Sequence, residues 1–188
     1  METAVFLAAG AIAFGAGCLA RSRYERDCLV TEEYRIVSEK IHGPEKTIVF
    51  LTDLHNKEFG DQNCRLLDAV RKVKPDAVLS GGDGMVAKKG NSDVEIPRKL
   101  LTELAKEFPV YCGNGNHECR MVWKSDIYGA AYENYQAALE NAGIRYLANG
   151  SADLDGEIRI YGLDLPKSAY LPRSGQIPEN LLKDALGE

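Results

Sequence analysis

The chain has 188 residues, of which 45% are hydrophobic, 8% aromatic and 27% charged, the make-up of one globular domain with room for a core rather than of a disordered chain. A formal net charge of -5 and a pI near 5.3 argue against a nucleic-acid partner, which would need a basic patch. Five cysteines (Cys18, Cys28, Cys64, Cys112, Cys119) contain no C-x-x-C pair and are odd in number, so neither a zinc ribbon nor a complete disulfide framework fits; reduced, mostly buried thiols are expected.

From Thr3 to Ala20 no residue is charged. The run is at the short end of the ~17–25 residues that span a bilayer, and it is rich in Ala and Gly. Glu2 precedes it and Arg21, Arg23 and Arg26 follow, the reverse of a cleaved secretory signal. The expectation is an N-terminal membrane anchor over residues 1–22, a single transmembrane helix, with a buried Ala-rich core helix as the alternative. By the positive-inside rule the arginine flank, and the globular part with it, would face the cytoplasm. Residues 23–44 read as a connector and a first extended segment carrying Val30, Tyr34, Ile36 and Ile41, and His42 beside Gly43-Pro44 reads as a loop histidine.

Thr47 to Leu51 is a β-branched and apolar run that leads into Asp53 and His55, as a buried strand delivers ligands to its tip. Residues two apart on an extended chain point the same way, so carboxylate and imidazole can converge, and such a pair suits a divalent metal. A helix is predicted from about Asn63 to Lys74, with Leu66, Leu67, Val70 and Val73 on one face, Asp61 or Asn63 as cap, and Pro75 beyond its end. Asp76 to Ser80 then reads as a second strand, running into Gly81-Gly82-Asp83. Ser92 to Glu95 has the form of a capping box opening a helix through Phe108, with Pro97 tolerated in its first turn and Ile96, Leu100, Leu101, Leu104 and Phe108 as the stripe. Pro109 to Cys112 is a third strand and ends in Gly113-Asn114-Gly115-Asn116-His117-Glu118.

Each interval between these tips is about one βαβ unit, ~30 residues. Consecutive units make a parallel sheet with ligand sites outside the carboxyl ends of its strands, so Asp53, His55, Asp83, Asn116 and His117 should cluster. Gly82 and Gly115 either let the backbone approach closely or are ordinary turn residues. Further on, Tyr128 to Ala142 reads as a helix closed by Gly143, Ile144 to Leu147 as a strand, Asp155-Gly156 as a two-residue hairpin turn, and the stretch from Asn180 as an opening helix.

Thr-Asp-Leu-His, Gly-Gly-Asp and Gly-Asn-His-Glu, in this order and spacing, resemble the first three metal-site motifs of the calcineurin-like metallophosphoesterases, and the flanking text resembles a membrane-anchored bacterial branch of them. The resemblance implies an α/β fold, a sandwich of two mixed β-sheets flanked by helices, over residues 45–188. It implies two divalent metal ions (manganese, iron or zinc) with Asp53 and His55 on the first, Asp83 bridging, and Asn116 on the second. It gives His117 the role of catalytic histidine at the leaving oxygen, with Glu118 orienting it. The implied reaction is hydrolysis of a phosphate mono- or diester by a metal-activated water, on a small molecule or a lipid headgroup.

The family completes its site with later histidines, and this sequence has none after His117. The expected fold is therefore C-terminally incomplete, unless the chain is a catalytically silent relative or Asp153, Asp155 or Asp164 replaces the missing ligands. A membrane-tethered binding or scaffold protein is the alternative function, and a lipid-linked pyrophosphate hydrolase a third.

Overall fold

A computed structural model describes residues 2–170, 177 and 180–187, with side chains from Gly10 onward. The chain divides into two compact units, Met1–Tyr34 and Arg35–Glu188. The first holds one helix, α1 (Glu2–Asp27). Among the described residues no helix is long and apolar enough to cross a membrane, which corrects the expected transmembrane span and the membrane localisation built on it. The physical reason lies in the described part of α1: Gly10, Gly15, Gly17 and several alanines dilute its hydropathy, and Arg21, Arg23, Glu25, Arg26 and Asp27 charge its last turns.

The second unit is built on a four-stranded sheet of β1 (Ile48–Leu51), β2 (Ala77–Ser80), β3 (Val110–Cys112) and β4 (Arg145–Tyr146), in that spatial order and parallel throughout. Each connection carries helix: α2 (Cys64–Val73), α3 (Glu95–Ala105), then α4 (Asn116–Trp123), α5 (Ser125–Tyr128) and α6 (Ala131–Asn141). The strands alternate, so Ala77, Leu79 and Tyr111 point to one face, and Val78 and Val110 to the other. The helices bury Leu66, Leu67, Val70, Leu100, Leu101, Leu104 and Leu139. On the first face an antiparallel hairpin, β5 (Gly150–Asp153) and β6 (Arg159–Gly162), packs Ala152, Leu154 and Ile160 on Ala77, Tyr111 and Leu147. Cover is uneven, for Phe50 on β1 at the sheet edge stays 62% exposed. The two mixed sheets expected are thus one parallel and one antiparallel sheet among the described residues, because every join in the first is a helical crossover and the join in the second is a tight turn.

Local details depart from expectation where tertiary bonds compete with caps. Asn63 precedes α2 but caps nothing; it is buried, and its Oδ1 accepts the Phe59 N–H at 3.0 Å, closing the loop before the helix. The capping box before α3 does not form, since the helix begins at Glu95, whose N–H donates to Asp93 Oδ1 at 3.0 Å and whose carboxylate pairs with Arg98. The helix expected over 128–142 is split at Gly129 into α5 and α6. The hairpin turn spans residues 154–158, longer than two residues, because the Asp155 Oδ1 accepts the N–H groups of both Glu157 and Ile158. A last helix, α7 (Leu181–Leu186), lies where the sequence opened one. Cys112 and Cys119 are buried, while Cys18, Cys28 and Cys64 are exposed, fewer buried thiols than expected.

Candidate metal centre

The site grows from the tips of β1, β2 and β3. Beyond β1 the backbone stays zipped to the segment after β2: Asp53 N–H donates to Gly82 O at 3.1 Å, His55 N–H to Asp83 O at 3.0 Å, and Asn56 N–H to Gly84 O at 2.8 Å. This holds three side chains together, and ligand atoms of Asp53, His55 and Asp83 all lie within 4.8 Å of one another. Convergence does not come from the strand pleat. Strand β1 ends at Leu51, and Asp53, His55 and Asp83 all adopt left-handed backbone (φ 56°, 50° and 52°). Non-glycine residues there cost of order 1–3 kcal/mol each and persist where surrounding bonds impose them, often at functional sites.

A second set of bonds ties the β2 and β3 tips. Glu118, 2% exposed, receives N–H groups from Asp83 (2.8 Å) and Gly115 (3.0 Å) on one carboxylate oxygen and from Gly84 (3.2 Å) on the other. Its bond to Gly115 is also the reciprocal half of a capping box, opening α4 directly after the β3 tip. The two loops touch through backbone: a Cβ on Gly82, itself at φ +87°, would strike Gly115 N, and one on Gly115 would strike Asp83. Gly82 is therefore required by its left-handed turn as well as by close approach, and Gly115, in extended backbone, by close approach alone. Burial pushes the Glu118 carboxyl up, against the pull of its backbone N–H partners. Among the described residues the donors to Glu118 are backbone groups of two loops, whereas the ring of His117 was the partner expected for it.

His117 is held otherwise. Its N–H donates to Asp83 Oδ1 at 2.6 Å, setting that carboxylate at the N-terminus of α4. Its ring Nδ1 lies 3.0 Å from the Ala87 N and 3.4 Å from the Ala87 O, and the tautomer in which Nδ1 accepts the Ala87 N–H carries the proton of the neutral imidazole on Nε2. The ring meets that of His55 edge to face, centroids 5.1 Å apart. Burial, with Arg120 and His55 nearby, lowers its pKa, against the opposing pull of Asp83 and the Ala87 backbone. Asn116 is the first residue of α4, and its Oδ1 receives Arg120 Nη2 at 3.4 Å.

The other predicted candidates fall outside this group. Asp155 faces Lys46 and caps the hairpin turn, and Asp153 lies beside Arg159. Asp164 accepts from Asn114 Nδ2 at 2.9 Å, part of a half-buried network that also brings the Tyr132 and Tyr146 hydroxyls onto Asn114. His42 is a loop residue whose N–H donates to Glu157. Three features were missed from sequence: Arg120, the Ala87 backbone and the start of α4 at Asn116. The glutamate three residues after Gly115 was the available signal for that start.

Two donor types in one cluster, carboxylate oxygen and imidazole nitrogen, fit a divalent cation of the transition series or zinc. Residues 46–186 match the sequence model of the calcineurin-like phosphoesterases. No curated protein matches the chain.

Proposed function

Because the chain belongs to the calcineurin-like phosphoesterase family, we propose that it hydrolyses phosphoester bonds in a metal-dependent reaction at the tips of its parallel strands. The observation that carries this is the convergence of Asp53, His55 and Asp83 at strand tips whose backbones are locked together. These three residues would hold a cation, and the Asn116 amide oxygen is the further ligand that the family motif implies. A divalent ion bound there supplies charge to polarise a phosphoryl oxygen and to lower the pKa of a water.

The remaining work belongs to the chain's own groups. Glu118 keeps the Asp83 and Gly115 loops in register, so the carboxylate is placed before any ligand arrives. His117, in the tautomer that carries its proton on Nε2, is suited to donate to the oxygen of a departing alcohol. Asp53 and His55 are 61% and 43% exposed at their side chains, which leaves the cluster open to a substrate from solvent. A phosphorylated small molecule or a lipid headgroup both satisfy this chemistry.

The test is hydrolysis of an aryl phosphate ester by the full chain loaded with manganese. Turnover is expected to vanish on chelation and to fall by at least two orders of magnitude in Asp83→Asn. Equal rates for the chain and Asp83→Asn would refute the proposal.

A further inference from the structure

Arg120 lies one turn beyond Asn116 on α4, half-buried, and its guanidinium is only partly engaged. Nη1 donates to Ala87 O at 3.0 Å and Nη2 makes the long 3.4 Å bond to Asn116 Oδ1. Its partners among the described residues are thus a backbone carbonyl and an amide oxygen. Arg71 and Arg98 differ, being matched by Glu107 and Glu95, each at 2.7 Å. A guanidinium partly withdrawn from water and bonded to neutral partners is costly to keep, and this one shares the Ala87 carbonyl with the ring of His117, which meets His55 of the metal-ligand cluster edge to face. An anion arriving at that cluster would remove the cost.

We propose that Arg120 is a substrate-binding residue that grips the non-bridging oxygens of a dianionic phosphoryl group. The planar fork of arginine matches two phosphate oxygens at once, and Nε together with the loosely held Nη2 is available for that. The role in turnover rests on the phosphoesterase reading above, whereas the binding of phosphate does not. The fold also provides a reporter. Trp123, the single tryptophan of the chain, follows Arg120 by three residues on the same face of α4 and packs against Tyr170 with centroids 5.5 Å apart.

Inorganic phosphate titrated into the full chain in the presence of a chelator, followed by calorimetry and by Trp123 emission, tests the proposal. Saturable binding is expected, weakened about tenfold or more in Arg120→Ala and less in Arg120→Lys, which keeps the charge but loses the fork. Arg98→Ala removes a surface arginine already paired with Glu95 and should leave binding unchanged. Should Arg120→Ala lose its fold by circular dichroism, Arg120→Gln, which keeps most of the aliphatic stem and a neutral polar end, takes its place. Absence of binding to the unmodified chain, or equal affinity in the arginine variants, overturns the proposal. With manganese and an aryl phosphate, the expected signature is a raised KM with kcat changed less. Hydrolysis together with Arg120-independent phosphate binding would defeat this proposal and leave the phosphoesterase reading standing. Arg120-dependent binding without any metal-dependent hydrolysis would do the opposite.

Discussion

The two sides of the candidate metal centre are built to different standards. At the β2 and β3 tips, Asp83 sits in a knot: Glu118 is buried beneath it with three N–H partners, Gly82 and Gly115 are in backbone contact, and the start of α4 donates to its carboxylate. Just beyond the edge strand β1, Asp53 and His55 are held through backbone bonds, a surface bond from Thr52 Oγ1 to Asp53, their own contact at 3.6 Å and the edge-to-face contact of His55 with His117. One side is organised by the fold, and the other presents ligands to solvent. A change in the knot should therefore be felt as stability, and a change at the edge as ligand affinity.

Substitutions can break or sharpen this contrast. The largest effect is expected from Gly82→Ala, which meets a left-handed φ and a backbone neighbour that cannot yield; unfolding in denaturant should show a loss of several kcal/mol, on the order of 3 or more. Glu118→Ala strands three N–H groups, one buried and two part-buried, at up to about 1–3 kcal/mol each and should approach that loss, while Glu118→Gln, which keeps a carbonyl oxygen, should cost about half as much. If Glu118→Ala unfolds at the same denaturant concentration as the unmodified chain, the knot is not what organises this side. Asp53→Asn should move stability by no more than ~0.5 kcal/mol, as for an exposed position, yet weaken manganese binding measured by calorimetry at least tenfold. A matching loss of stability there would erase the distinction between the two sides.

The smallest effect is the pH dependence of His117. Its pKa lies below the ordinary 6.5, so the folded chain binds fewer protons than the unfolded chain as pH falls through that value. The stability tied to the neutral ring is complete above about pH 6.5 and is lost as pH falls toward the lowered folded value. In chelator, the unmodified chain should therefore lose more thermal stability between pH 8 and pH 5.5 than His117→Asn does. Identical profiles would show the ring is not held neutral by the fold.

Much of this architecture was legible in the residues. The apolar runs before Asp53, Asp83 and Asn116, spaced by one crossover helix each, are local patterns, and the parallel order follows from them because strands joined by helices align their tips. Thus the gathering of Asp53, His55 and Asp83 could be read before any coordinates. The hairpin was legible for the same reason, Asp155-Gly156 being a local turn signal, although its length was not.

What only the tertiary structure decided concerns partners remote in sequence and identical in kind. Glu118 was expected beside the ring of His117, but its donors are N–H groups of Gly115, Asp83 and Gly84, and every residue other than proline carries such a group. The left-handed backbone of Asp53 and His55 arises from bonds to the β2 tip, against local preference. Arg120 was invisible for a related reason, since whether a guanidinium lies at a carboxylate or faces a metal-ligand cluster depends on the angle at which α4 leaves β3. Local periodicity determines which residues reach the strand tips, whereas the close approach of the tips determines what each side chain can then touch.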